Sequence, residues 1–216
     1  MNISENIQKY KEELGPEVTL VAISKTKPIS KLLEAYEAGQ RIFGENKIQE
    51  MTEKWEALPK DIKWHMVGNV QRNKVKYMAP YVNLIHTVDS LKLLKEIDKE
   101  ARKNERSISC LLQIKIAEEE SKFGISAEEA KGILNSETLS EMQHVEVVGL
   151  MGMATFTEDM NQVRTEFQYL NSVYKEFKKD YPKLNTLSMG MSGDYKIAQE
   201  CGSNMVRIGS AIFGGR

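Results

Sequence analysis

Apolar residues recur at helical spacing in Ile3, Ile7, Tyr10 and Leu14, and Gly15-Pro16 then stops the helix that this pattern predicts. A short continuous apolar run follows, Val18-Thr-Leu-Val-Ala-Ile-Ser24, which suits a strand buried on both faces of a parallel sheet. Pro28 then sits where a first helical turn begins. Leu32, Leu33 and Tyr36 supply an apolar face, and Gly39 closes the helix. The same unit repeats down the chain. Arg41-Ile-Phe43 precedes a helix carrying Ile48, Met51 and Trp55, and Trp64-His-Met-Val67 one carrying Val75 and Met78. Asn83-Leu-Ile-His86 precedes a helix with Leu91, Leu94, Ile97 and Ala101. Ile108-Ser-Cys-Leu-Leu-Gln-Ile114 is followed by a capping box, Ser126 with Glu129, that opens a helix through Ala130, Ile133 and Leu134. Val145-Glu-Val-Val-Gly-Leu150 leads to a long helix with Val163, Phe167, Leu170, Tyr174 and Phe177 on one face. Asn185-Thr-Leu-Ser188 and Met205-Val-Arg-Ile208 are the last strands.

About eight strand–helix units predict an α/β fold: a (β/α)8 TIM-type barrel with an extra N-terminal helix. The competitor is a doubly wound open sheet, which usually carries a glycine-rich first turn for a nucleotide. Here the first strand runs into Ser24-Lys-Thr-Lys-Pro28 instead. No linker interrupts the alternation, so residues 1–216 are expected to form one domain.

Composition narrows the function classes. Thirty Lys+Arg against thirty-one Asp+Glu leave a net charge of -1, which argues against a dedicated nucleic-acid binder and against adhesion to anionic membranes. No apolar run approaches membrane-spanning length, and the N-terminus lacks the pattern of a signal peptide. Two cysteines and three histidines show no metal-ligand spacing, so no metal site is expected. The expected compartment is the cytoplasm, with Cys110 and Cys201 as free thiols and Cys110 buried and inert.

In a barrel of this kind, function collects where strands end. Lys25 stands at the end of the first strand, where partial desolvation favours a neutral amine able to form a Schiff base; a rim lysine reaching for water is the plain alternative. The loops after strands seven and eight, Met189-Gly-Met-Ser-Gly-Asp194 and Gly209-Ser-Ala-Ile-Phe-Gly214, occupy the recurrent phosphate position of the architecture. Gly209 lets a backbone N–H approach an anion, and Ser192 and Ser210 offer hydroxyl donors. Arg207, on a strand, needs a partner. Together these residues suggest a phosphate-bearing carbonyl compound facing a lysine. Pyridoxal 5'-phosphate (PLP) and a sugar phosphate both satisfy that chemistry. His65 and His86 read as hydrogen-bonded structural histidines before ligand contacts. Met151, Met153, Met189 and Met191 read as packing near the strand ends, and Arg72-Asn-Lys-Val-Lys76 as a solvated helix face.

Val21-Ala-Ile-Ser-Lys-Thr-Lys-Pro28 followed by Ala38-Gly-Gln-Arg-Ile-Phe-Gly-Glu-Asn46 resembles the opening signature of the YggS/PROSC family of PLP homeostasis proteins, which are related to the N-terminal domain of alanine racemase. The resemblance continues in Trp64-His-Met-Val-Gly68, Gln71 with Asn73-Lys-Val-Lys76, and Ser121-Lys-Phe-Gly-Ile125. It extends through Gly149-Leu-Met-Gly-Met153, Gly190-Met-Ser192 with Asp194, and Val206-Arg-Ile-Gly-Ser-Ala-Ile-Phe-Gly214. It implies a PLP-binding barrel of intracellular cofactor homeostasis, holding PLP as an aldimine on Lys25 while Lys27 stays unlinked. Ser192, Gly209 and Ser210 match the phosphate contacts, Arg207 the arginine facing the pyridine nitrogen, and Asn46 a residue of the cofactor mouth. The implied protein is a monomer that passes PLP to apo-forms of PLP enzymes without turnover. The alternatives are a racemase-like enzyme and a lysine-dependent aldolase acting on a sugar phosphate. Two departures stand out. Lys115 replaces an asparagine common near that position, and can either charge the cofactor's surroundings or point outward. The chain also stops at Arg216, where a racemase continues into a second domain.

Overall fold

Parallel pairing of each strand with the next, and of the last with the first, closes the sheet of this computed structural model into an eight-stranded barrel. The structure describes residues 2–118 and 123–215. The strands are β1 (Thr19–Ile23), β2 (Ile42–Glu45), β3 (Lys63–Met66), β4 (Val82–Val88), β5 (Ile108–Gln113), β6 (Val145–Met151), β7 (Thr186–Met191) and β8 (Met205–Ile208). The helices are α1 (Ile3–Leu14), α2 (Ile29–Glu37), α3 (Ile48–Ala57), α4 (Val75–Met78), α5 (Leu91–Lys103), α6 (Ala127–Leu134), α7 (Glu137–Ser140), α8 (Met160–Asp180), α9 (Tyr195–Glu200) and α10 (Ser210–Phe213). Closure rules out the open sheet: β1 and β8, which would be separate in that topology, are in register from Thr19↔Met205 to Ala22↔Ile208.

Alternation along each strand sorts the side chains. Val21, Leu84, Leu111, Met151 and Met205 pack together inside the barrel, whereas Ala22, Phe43, Trp64 and Leu112 belong to the larger core between strands and helices. Phe43 and Trp64 pack there as a tilted pair, 6.0 Å between ring centroids. Helix α1 buries Ile3, Ile7, Tyr10 and Leu14 as its spacing predicts. Each such side chain stabilises the fold by roughly 1.5–3 kcal/mol. Asn6 Nδ2 donates to Ile212 O at 3.0 Å, and the Ile3 amide donates to Glu34 Oε1 at 3.1 Å. The N-terminal helix therefore bridges α2 and α10, across the seam where β1 meets β8.

Two expectations need correction. Helix α2 packs on the core through Leu32, Ala35 and part-buried Tyr36, while Leu33 of the expected face is turned out to solvent. Strand β7 runs to Met191, three residues past Ser188, so Gly190 belongs to the strand and not to the loop. The capping box of Ser126 and Glu129 is present at the start of α6. Of the Ser121–Ile125 motif, Ser121 and Lys122 lie outside the described residues.

Candidate functional site

A cavity of about 450 Å³ opens where the strands end, and Lys25, Asn46, Ser192, Arg207, Gly209 and Ser210 all line it. Residues named from three distant stretches of sequence thus meet in one place. Met153 and Met191 join the lining and are half-buried, whereas Met151 and Met189 are fully buried packing residues. Lys115 lies exposed and outside the lining, so of its two readings the outward one holds. The Arg72–Lys76 stretch exposes its charged side chains over buried Val75, a solvated face as expected. A neighbouring hollow of about 640 Å³ shares Asn46 and is otherwise lined by α3, the turn before α4, and Tyr77. Its lysines are Lys47, just past β2, and Lys74, but Ser192, Gly209 and Ser210 do not line it.

Lys25 is half-buried at the inner wall, just past β1. It occupies the second position of a tight turn in which the Lys27 amide donates to Ser24 O at 3.0 Å, and Thr26, the third position, has φ +62°. Lys27 is drawn away from the cavity: its Nζ donates to Gly214 O at 2.8 Å and Gly215 O at 2.7 Å. Behind the turn, on the outer side of the barrel, Lys54 Nζ from α3 donates to Ser24 O, Glu45 Oε1 and Glu50 Oε1, each at 2.7 Å. Ser24 Oγ donates to Glu45 Oε1 at 2.6 Å, and the Thr26 amide to Glu50 Oε1 at 2.6 Å. Burial raises the Glu45 carboxyl above its ordinary value, against the opposing pull of Lys54 and Ser24. Removing one partner of a buried pair of this kind costs roughly 3–5 kcal/mol.

Beside the end of β1, three hydrogen-bond donors form a cradle in the lining. The Gly209 amide points at Ser192 Oγ, 3.4 Å away, and Ser210 Oγ lies 3.5 Å from the same hydroxyl. These separations are long for mutual hydrogen bonds, so the three donors remain available to a shared acceptor. A side chain at residue 209 would press on Ile23 O at 3.0 Å and Ile23 Cβ at 3.1 Å, so glycine is what lets this wall close against the end of β1. Gly68 does the same for the mouth residue: a Cβ there would stand 2.1 Å from Asn46 O.

Beneath the cradle, Arg207 is 4% exposed and donates to Ser188 O at 3.0 Å, Ser188 Oγ at 2.6 Å and Gly152 O at 3.0 Å. Burial pulls its guanidinium down to about 10, opposed by Asp194, so it stays cationic at neutral pH. Ser188 Oγ also meets His86 Nδ1 at 3.0 Å, and His86 Nε2 meets His65 Nδ1 at 3.1 Å. Guanidinium can only donate. Arg207, Ser188, His86 and His65 thus form one continuous hydrogen-bonded chain. Burial pushes His65 down to about 3 and His86 well below its ordinary value, Lys63 adding to the first shift, His65 and Arg207 to the second. Both imidazoles are thus neutral. Neither lines the cavity, and both are the structural histidines the sequence suggested.

Sequence reasoning missed the Glu45–Lys54–Glu50 cluster. Its signal was Lys54 itself, a lysine on the helix face that also carries Met51, three residues earlier, and only 4% exposed. Cys110 and Cys201 are both free and buried, and burial pushes the Cys110 thiol up.

Residues 1–216 match the family model of the alanine racemase N-terminal domain. The pyridoxal phosphate homeostasis protein of Vibrio alginolyticus is 36% identical over 223 residues, covering 100% of this chain and 95% of that protein. The chain belongs to this family. The protein of the same name from Aquifex aeolicus is 38% identical over 219 residues, covering 99% of this chain and 95% of its own length. Among solved structures, PipY of Synechococcus elongatus without PLP superposes with a TM-score of 0.92 at 34% identity, covering 98% of this chain and 100% of that one. PipY with PLP bound gives 0.89 at 33% identity, with the same coverage. The barrel expected from the family resemblance is the barrel found. No helix among the described residues is long and apolar enough to cross a membrane.

Proposed function

We propose that this chain binds PLP, holds it covalently on Lys25, and hands it to apo-forms of PLP enzymes without turning over a substrate. The observation that carries this reading is a strand-end lysine and a cluster of three hydrogen-bond donors lining one cavity. That donor set fits PLP: an amine for its aldehyde, and an amide with two hydroxyls for its phosphate. The volume is within the range of small-molecule sites. Asn46 borders the mouth and Arg207 serves the ring nitrogen. In this reading the chain acts in the cytoplasm as a monomer, with residues 1–216 working as one unit, and with neither nucleic acid nor membrane as a partner.

When bound, PLP supplies a ring that can withdraw electrons from an attached carbon, most strongly when its nitrogen is protonated. Arg207 is a donor-only cation, so it disfavours that protonation. Racemisation also needs a base on each face of the substrate. Among the described residues, the ionisable ones lining the cavity are Lys25, Asp194 and Arg207. Arg207 holds its proton, and Asp194 Oδ1 accepts from the Met191 amide at 2.5 Å, where it secures the cradle loop. Among the described residues, Lys25 is left as the working base. These features support a carrier over a racemase.

The test titrates purified protein with PLP, then adds alanine or serine in deuterated water. The expected result is a 1:1 chromophore with negligible deuterium at the α-carbon. Multiple turnovers of exchange that vanish in Lys25→Ala would establish the racemase-like alternative instead.

A further inference from the structure

Thr26 and Glu105 are the non-glycine residues of left-handed φ among the described residues, and Thr26 alone of the two is β-branched. A tight turn with left-handed φ at its third position ordinarily places glycine there, because a branched Cβ crowds the backbone. Such strain persists only where surrounding groups over-determine it. Here the surrounding groups are identifiable. The two residues flanking Lys25 are both tied to α3: Ser24 through its carbonyl to Lys54 Nζ at 2.7 Å, Thr26 through its amide to Glu50 Oε1 at 2.6 Å. Lys54 in turn fixes Glu50 at 2.7 Å, one turn earlier on the same helix. Glu45, the third anchor, directly precedes Asn46. None of Ser24, Thr26, Glu45, Glu50 and Lys54 lines the cavity, yet each is next in sequence to Lys25 or Asn46 or is bonded to a residue that is.

We infer that Glu50, oriented by Lys54, is a positioning residue that holds the strained turn at Thr26 and thereby aims Lys25 into the cavity. This rests on Lys25 being the residue that takes PLP. Without the clamp the turn relaxes to a commoner φ, and the amine spends less time facing the cradle. The device lies outside the barrel wall, so it sets the reach of the lysine without touching the ligand.

Glu50 is the member to replace, since it is part-exposed and its loss leaves Lys54 paired with Glu45. Apo-protein is mixed with PLP, the Lys25 adduct is trapped with borohydride and mapped by mass, and the urea midpoint of each apo-variant is recorded. In Glu50→Ala the rate of adduct formation at Lys25 should fall about tenfold, the scale of one lost hydrogen bond to a charged group. Glu50→Gln keeps an acceptor oxygen and should stay within about twofold of wild type. Adding Thr26→Gly to Glu50→Ala should restore most of the rate, since glycine adopts the turn without a clamp. A general packing role predicts rates that follow the urea midpoint, with no rescue by glycine. A wild-type rate in Glu50→Ala, an equal loss in Glu50→Gln, or failure of the rescue would overturn the inference while leaving Lys25 in place. Wild-type protein with its adduct elsewhere would overturn the Lys25 assignment and this inference together.

Discussion

Behind Lys25 and Asn46 stands an ammonium with two carboxylates at 2.7 Å, whereas beneath Ser192 and Gly209 lies a guanidinium whose hydrogen-bond acceptors are all neutral. The two walls of the cavity are supported from opposite sides of the strands. Outside the barrel, α3 can supply counter-ions, so the Lys54 charge is satisfied locally and does mechanical work on the turn. Inside, Arg207 meets carbonyls, a hydroxyl and a relay of uncharged imidazoles. Its charge is hydrogen-bonded without being neutralised by contact, which leaves its field directed at whatever occupies the cavity. A buried cation bonded directly to carboxylates is a strut, and one hydrogen-bonded to neutral acceptors, with Asp194 acting on it through space, is an electrostatic element of the site.

The sharpest way to break this comparison is at the lysine. Lys25→Ala should remove the chromophore and the borohydride-trapped adduct completely, while Lys27→Ala, whose amine is engaged by Gly214 and Gly215, should keep both. An adduct mapped to Lys27 would show that the β1–β2 wall had been misassigned.

A smaller effect is expected at the cradle. Charge-assisted hydrogen bonds are worth roughly 1.5–3 kcal/mol each, so Ser192→Ala and Ser210→Ala should each weaken PLP binding about tenfold or more. Pyridoxal, which lacks the phosphate, should bind all of these proteins alike. Calorimetry showing that either substitution weakens both vitamers equally would move the phosphate elsewhere.

The smallest effect concerns the relay. His65 and His86 are held below 6.5 in the fold, so between 6.5 and about 3 the unfolded chain takes up protons that the native protein refuses. Their contribution is complete above 6.5 and declines on acidification by about 1.4 kcal/mol per pH unit for each histidine. Glu45, raised in the fold, opposes part of that loss toward lower pH. Urea unfolding at pH 7 and pH 5.5 should therefore show a lower midpoint at the acid value. A flat or rising midpoint would mean that the imidazoles are already charged in the native state.

The elements that sequence periodicity revealed are those with one clear apolar face. Helix α1 and the long α8 have their buried residues where the spacing put them. On α2 only Leu33 was misplaced: it is adjacent to Leu32, and an apolar side chain one position off the stripe defined by Leu32, Ala35 and Tyr36 faces solvent. The cavity was legible because strand ends in a barrel converge by topology, so Lys25, Ser192 and Gly209 could be brought together without knowing a single distance. The supporting clusters were not legible in the same way. His65, His86 and Ser188 come from β3, β4 and β7 and meet only across the barrel interior, and no local spacing encodes that meeting. Lys54 carried a local signal, a charge within an apolar stripe, but its meaning depends on Ser24, which lies thirty positions away in sequence.

The seam between β1 and β8 also sets a time order. Lys27 reaches carbonyls 187 and 188 positions away, and Gly209 lies against Ile23, so the two walls of the cavity belong to opposite ends of the chain. Closing so long a loop carries its entropy cost before any contact rewards it, and such pairings come late in folding. A nascent chain on the ribosome therefore has Lys25 from the beginning but no cradle until β8 has emerged and docked. On the proposed function, cofactor capture is for this reason a report of completed folding: a chain caught before that step presents the Lys25 amine with no donor cluster beside it.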